Sequence, residues 1–242
     1  MEIFGQTDIG CVRRANQDVF GVRECDGGSV GVVCDGMGGA KAGEVASAIA
    51  LDVFTLYMEE LLRTPKFPND AAEKIAIAAT LAGNAVYERA ETDPECEGMG
   101  TTLVAAVVRD DLAIVANVGD SRAYHVSDGK ILRVTRDHSV VEEMVARGEI
   151  TRDEARFHPS RNLITRALGT ARNVPADVFY SNVHDGDFLV LCSDGLSNLL
   201  SDAEILALLS HDGSACDLCA ALVDSALDRG APDNVTVIVI KV

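Results

Sequence analysis

The sequence predicts an α+β fold with antiparallel sheets inside and helices outside. Three observations carry this reading. Short β-rich runs follow one another without intervening helices, helical patterns are gathered into separate blocks, and the runs are divided by Asp-Asp, Gly-Asp and Asp-Gly pairs, the turn chemistry of antiparallel strands. A parallel sheet would instead alternate strand and helix.

Residues 2–9 and 17–24 read as short strands, and the apolar run 29–34 as a strand that delivers Asp35 at its end. Two long helical patterns follow at about 43–62 and 69–92. Thr64-Pro65-Lys66-Phe67-Pro68 divides them, because proline stops one helix and is tolerated at the start of the next. Residues 101–109, 112–118, 122–126 and 130–134 predict a four-strand meander turning at Asp110-Asp111, Gly119-Asp120 and Asp128-Gly129. Residues 139–157 return to helical patterning, dense in charge and without a strong apolar face, which predicts a mobile, solvated insertion. Strands at 178–183 and 187–192 are joined by His184-Asp185-Gly186, read as a hairpin turn. Helices at about 202–210 and 214–229 and an almost wholly apolar strand at 235–242 complete the pattern.

At 242 residues the chain can bury a large core, and it shows neither a linker rich in Gly, Ser or Pro nor an internal repeat, so one domain over 1–242 is expected. The N-terminus lacks a basic region and an apolar signal core, and no apolar stretch approaches membrane-spanning length. A cytoplasmic protein with no membrane association is the expectation. Seven cysteines, an odd number set mostly within apolar segments, fit reduced thiols. The pair Cys216 and Cys219 continues a helical pattern and reads as a buried helix face rather than a zinc or redox site. A formal charge of −17, with no basic stripe, argues against nucleic-acid partners. It also means that an anionic substrate would be repelled unless bound cations reversed the local sign.

Five aspartates stand at the ends of apolar runs or beside glycine: Asp18, Asp35, Asp120, Asp194 and Asp233. A carboxylate presented at a strand end, with glycine allowing close backbone approach, is how a sheet offers oxygen ligands to a hard divalent cation. Five of them spread along the chain suggest a multi-metal centre of the kind that acts on phosphoesters. Asp128-Gly129 and Asp185-Gly186 are read as turns only.

Eight ordered blocks resemble the metal-dependent protein serine/threonine phosphatases, the PPM or type 2C family, in its compact bacterial form. They are Gly10-Cys11-Val12-Arg13-Arg14-Ala15-Asn16-Gln17-Asp18, Asp35-Gly36-Met37-Gly38-Gly39, Gly43-Glu44-Val45-Ala46-Ser47, Gly100-Thr101-Thr102-Leu103, Asn117-Val118-Gly119-Asp120-Ser121-Arg122, Asp137-His138-Ser139, Ser193-Asp194-Gly195-Leu196 and Asp233-Asn234-Val235-Thr236. The resemblance spans essentially the whole chain. It implies two antiparallel sheets packed face to face as a sandwich, helices on both outer faces, and metals at one edge between the sheets.

By the same resemblance, Asp35 bridges two metal ions, the Gly36 carbonyl binds one, and Asp194 and Asp233 complete the other. Asp18 holds metal-bound waters, Asp120 with Asp194 forms a weaker third site, and Arg13 grips the substrate phosphate. An all-oxygen donor set suits Mn²⁺ or Mg²⁺ rather than zinc. Two such ions about 3.5–4 Å apart activate a shared water for in-line attack, so no protein nucleophile is needed. Arginine suits phosphate because its planar fork donates two charge-assisted bonds.

The pattern breaks at Ala40, where much of the family carries a histidine proposed to protonate the leaving oxygen. Loss of a general acid typically costs about 10²–10⁴-fold, most for alkyl phosphoesters and least for aryl phosphates; Lys41 or a metal-bound water could substitute in part. His138 reads as a hydrogen-bonded packing residue. Residues 139–162 correspond to the family's flap beside the active site, and Glu142, Glu143, Arg147, Glu149, Arg152, Asp153, Glu154 and Arg156 make it polar. The expected function is hydrolysis of phosphoserine and phosphothreonine in proteins by a monomer, with a serine/threonine kinase as a partner implied by the family. The alternative is a metal-binding pseudophosphatase or phosphoprotein-binding regulator, which only Ala40 supports.

Overall fold

The computed structural model describes residues 1–242 except Asp26, Gly27, Pro65, Lys66 and Pro68; the side chains of Cys25, Ala40 and Lys41 also lie outside it. In chain order the strands are β1 (Glu2–Asp8), β2 (Asp18–Cys25), β3 (Gly28–Met37), β4 (Gly100–Thr101), β5 (Leu103–Arg109), β6 (Leu112–Val118), β7 (Arg122–Ser127), β8 (Lys130–Arg133), β9 (Asp177–Asn182), β10 (Phe188–Cys192) and β11 (Val235–Lys241). The helices are α1 (Gly39–Leu62), α2 (Ala71–Thr92), α3 (Val140–Ala146), α4 (Arg152–Phe157), α5 (Asp194–Ser197), α6 (Asp202–Leu209) and α7 (Ala215–Leu227).

Alternation along the strands sorts the buried residues into layers. On β11, Val235, Val237 and Val239 enter one core while Ile238 and Ile240 enter another. On β5, Leu103, Ala105 and Val107 face one way and Val104, Ala106 and Val108 the other. The core shared by Val104, Ala106, Leu189, Leu191, Ile238 and Ile240 is the seam between two sheets. One sheet runs in the order β1-β11-β10-β7-β8; the other runs β2-β3-β5-β6-β9, with β4 paired to β3. All pairings are antiparallel.

Helices α1 and α2 cover the β3 sheet, where Phe54, Met58 and Ile75 pack with Val30, Val32 and Val107. Helix α7 covers the β11 sheet through Leu218 and Leu222 against Val237 and Val239. Fully burying one such side chain contributes roughly 1.5–3 kcal/mol, so the two outer cores and the seam together hold the four layers. This is the expected helix-sheet-sheet-helix sandwich.

Several expectations need correction. The four-strand meander is two hairpins in different sheets: β5–β6 belongs to one and β7–β8 to the other, so Gly119-Asp120 is a crossing between sheets. The same holds for Asp185-Gly186, because β9 and β10 lie in different sheets. Strand β3 continues to Met37 because Gly36 and Met37 pair with Thr101 and Gly100, and α1 begins at Gly39 rather than residue 43. Of the segment separating α1 from α2, Pro65, Lys66 and Pro68 lie outside the described residues. Cys219 is buried but Cys216 is exposed, so the two do not share one buried face.

The charged segment is also less solvated than its composition predicts. Glu142 in α3 is only 7 % exposed and receives Arg133 at 2.9 Å and Arg152 at 3.2 Å. Burial works to raise its pKa, but the two arginines hold it below the usual carboxylate range. Among the described residues, no helix is long and apolar enough to cross a membrane.

The two sheets are pinned together by a polar contact as well as by the apolar seam. His125 of β7 bonds the Ser181 hydroxyl of β9 through Nδ1 at 2.9 Å and Asp187 through Nε2 at 3.0 Å. Removing a buried partner leaves the remaining groups unsatisfied, at about 1–3 kcal/mol. His125→Ala should therefore lower the melting temperature, by about 2–4 °C for each kcal/mol lost in a chain of this size. An unchanged melt would show that the pin contributes nothing.

Candidate functional site

The five aspartates meet at one end of the sandwich because the chain enters or leaves the sheets there. Asp18 opens β2 and sits opposite Asp35 of β3 in the ladder. Asp194 opens α5 with one residue between it and the end of β10, Asp233 lies two residues before β11, and Asp120 lies in the crossing from β6 to β7. Four are thus at element boundaries, as expected; Asp35 is instead inside β3.

Two glycines show how tightly the backbone is drawn in. A Cβ on Gly36 would overlap the Gly43 carbonyl and lie 2.7 Å from the Gln17 carbonyl. A Cβ on Gly195 would overlap the Asn234 carbonyl, so only glycine lets the turn of Asp194 lie against that of Asp233.

A hydrogen-bond scaffold orients the carboxylates. Asp18 is 4 % exposed, and its Oδ2 accepts from the hydroxyls of Ser193 and Thr236, each at 2.7 Å. Both hydroxyls come from the other sheet, so Asp18 ties the two sheets at the centre. Asn234 staples the loop carrying Arg13: its Oδ1 accepts from the Gln17 amide at 2.9 Å and its Nδ2 donates to the carbonyls of Ile9 and Ala15 at 3.0 Å. The Asp35 amide donates to Thr102 Oγ1 at 3.0 Å, and that hydroxyl bonds Ser121 at 2.7 Å, reaching the turn of Asp120.

The turn itself is held by His138. Its Nδ1 accepts from the Gly119 amide at 3.0 Å and its own amide donates to the Gly119 carbonyl at 2.9 Å. With Nδ1 accepting, Nε2 carries the proton and donates to Asp177 at 3.1 Å. Gly119 has φ +108°, a conformation that disfavours side chains. His138 is therefore a packing residue, as its sequence context indicates.

None of Ser193, Thr236, Asn234, Thr102 or Ser121 carried an assigned role in the sequence. Each lies within one of the eight blocks, yet the partner it meets is fixed only by the fold.

Mutual repulsion dominates the electrostatics. Burial first, then Asp18, Asp194, Asp120 and Asp233, pushes the Asp35 pKa well above its ordinary value. Asp194 is raised likewise by burial and by Asp120, Asp233 and Asp18, with Arg122 opposing. Burial lifts Asp18 to about 6, against the hydrogen bonds from Thr236 and Ser193. Asp120 also reaches about 6, through burial and Asp137. The direct cation is Arg13, paired with Asp233 at 2.7 Å with both side chains partly exposed.

Among the described residues, no three His, Cys, Asp or Glu side chains already stand as a set that could hold an ion. The chemistry of the aspartates still fits hard divalent cations, since the donors are all oxygen and the negative charge exceeds that of the one paired arginine. Ala40 and Lys41, the expected break in the pattern, lie in α1 with side chains outside the described residues.

A raised folded-state pKa gives stability that is complete below the unfolded value, about 4, and is lost as pH rises through the folded value. The carboxylates Asp177, Asp187 and Glu142 lie below the usual range because hydrogen bonds outweigh burial, so their effect falls at still lower pH. Chelator-treated protein should thus lose melting temperature as pH rises from about 4 through about 6, where Asp18 and Asp120 ionise, with Asp35 and Asp194 adding in the same direction. Mn²⁺ should raise the melt more at pH 7.5 than at pH 5. A chelated melting temperature that does not fall across this range would contradict the repulsion described.

Residues 13–228 match the family described as protein phosphatase 2C. A serine/threonine phosphatase, stp, from Listeria welshimeri is 35% identical over 240 residues, covering 98% of this chain and 94% of that one. The structure of the serine/threonine phosphatase Stp1 from Staphylococcus aureus superposes with a TM-score of 0.91 at 37% identity, covering 100% of this chain and 94% of that one. The catalytic domain of the serine threonine protein phosphatase PstP, in complex with two manganese ions, superposes with a TM-score of 0.84 at 33% identity, covering 98% and 96%. Fold, site and these matches agree, and the chain belongs to the protein phosphatase 2C family.

Proposed function

We propose that the chain hydrolyses phosphoserine and phosphothreonine in proteins, with Mn²⁺ or Mg²⁺ held by the aspartates. The observation that carries this reading is the convergence of Asp35, Asp194 and Asp233 from three separated segments onto one end of a phosphatase fold. Protein phosphatase activity and metal dependence come with the family.

In this reading Asp35, the Gly36 carbonyl, Asp194 and Asp233 hold two ions, and Asp120 with Asp194 holds a weaker third. When bound, the ions supply the charge compensation that the carboxylates lack and an activated water for attack on phosphorus. The chain's own residues prepare the site. Ser193 and Thr236 occupy Oδ2 of Asp18, so Oδ1 would be the oxygen left to hold the centre's waters. Arg13 donates to Asp233 through one terminal nitrogen, and its remaining guanidinium donors would take phosphate oxygens. Residues 139–162 act as a flap on a single domain spanning 1–242. A cytoplasmic monomer that opposes a serine/threonine kinase, with no nucleic-acid partner, completes the reading.

A phosphothreonine peptide and an aryl phosphate should both be hydrolysed with Mn²⁺, and chelator should abolish both. Asp194→Ala should reduce kcat/KM for each by at least about 10²-fold, the scale expected when an electrostatic catalytic contact is lost. Metal-independent turnover, or full activity in the variant, would refute the assignment. Hydrolysis of the aryl phosphate alone would favour a small-molecule phosphoesterase.

A further inference from the structure

A groove of about 1040 Å³ runs from Asp120 and Asp194 along β8 to α3, α4 and the start of α6. Arg122, Arg133, Arg136, Arg152, Arg156 and Arg161 line it, and no lysine does. The whole chain has 21 Lys and Arg against 38 Asp and Glu, whereas this groove is lined by six arginines and six carboxylates, so it carries far more positive charge than the surrounding protein. Asp120 and Asp194 belong to the metal centre. Setting them aside, six arginines face four carboxylates: Asp137, Glu142, Asp153 and Asp202.

The arginines fall into two groups. Arg122 and Arg133 grip Asp137 at 2.7 and 3.5 Å. Arg133, Arg152 and Arg136 converge on Glu142 at 2.9, 3.2 and 3.8 Å. Four guanidiniums thus share two buried carboxylates, which fixes their positions and leaves positive charge and donors over. Arg156 and Arg161 are exposed and form no ion pair among the described residues, and Arg156 acts on Glu204 only through space. A fixed inner set and a free outer set, both guanidinium, suit a multiply oxygenated anion better than a solvated flap would require.

We propose that this groove is an anion subsite that binds a second oxyanion, a phosphoryl group or an acidic side chain, carried by the same polypeptide as the residue being dephosphorylated. The inference rests on the phosphatase reading, which places the scissile phosphate at the Asp194 end. An extended chain advances about 3.3–3.6 Å per residue, so the second group would lie a few residues from the first. The groove would then select acidic or clustered phosphorylation sites that the protein's overall charge would otherwise repel.

The test uses the full chain with Mn²⁺ and a phosphothreonine peptide series bearing Ala, Glu or a second phosphoserine two to six residues away on either side. The doubly phosphorylated peptide should show about 10-fold or greater kcat/KM over the Ala peptide, through KM rather than kcat. The Arg156→Ala/Arg161→Ala double variant should erase that preference while leaving aryl phosphate hydrolysis within about twofold, because a single phosphate does not reach the groove. A Glu peptide that matches the doubly phosphorylated one would assign the site to oxyanions generally; one that matches the Ala peptide would assign it to phosphate. Equal kcat/KM for all three peptides, with aryl phosphate turned over, overturns the subsite and leaves the phosphatase standing. If nothing is turned over, the phosphatase reading fails, and fluorescence anisotropy with labelled peptides decides the subsite. Tighter binding of the doubly phosphorylated peptide that the double variant abolishes supports it; equal binding overturns it.

Discussion

Like charges gathered in a partly buried place repel, and the centre of this protein is built around that repulsion. Asp35 and Asp194 are raised far above the usual carboxylate range by burial and by each other's neighbours. Direct compensation from the protein is small: Arg13 pairs with Asp233 at the rim, and Arg122 reaches Asp194 only at longer range. A group that cannot lose its charge near neutral pH without losing its use must be stabilised by something else. Divalent cations are the group that satisfies both needs, lowering the energy of the carboxylates and supplying Lewis acidity toward phosphorus.

The rest of the fold can be understood as keeping those carboxylates in place against their mutual repulsion. Asp18 is clamped by two hydroxyls from the opposite sheet. The Asp35 backbone is fixed on both sides by Thr101 and Thr102. His138 holds both polar groups of Gly119 and so sets the turn that carries Asp120. These contacts span both sheets, and the apolar seam of β5, β10 and β11 keeps the sheets aligned beneath them. A shift of one sheet against the other would separate Asp18 from Ser193 and Thr236.

Much of this is legible in the residues. The strands declare themselves through alternation, and the five aspartates through their glycine-flanked blocks. Sheet membership is not legible: Asp128-Gly129 closes a hairpin while Asp185-Gly186 crosses between sheets, yet both are Asp-Gly turns with the same local chemistry. Only the long-range pairing of β9 with β6 and of β10 with β11 separates the two cases. The hydroxyl clamps were invisible for the same reason, since Asp18 and Thr236 lie 218 residues apart. The burial of Glu142 is not legible because composition marks a glutamate as solvated, whereas Arg133, brought alongside by β8, makes its burial tolerable.

The central claim is that the aspartates are gathered to hold divalent cations against their own repulsion. Anomalous X-ray scattering from crystals grown with Mn²⁺ at neutral pH tests it most directly. Two manganese peaks flanked by Asp35, with Asp194, Asp233 and the Gly36 carbonyl at about 2.0–2.6 Å, are the predicted result. Manganese confined to other acidic surfaces, with Asp35 and Asp194 contacting none, would contradict the account.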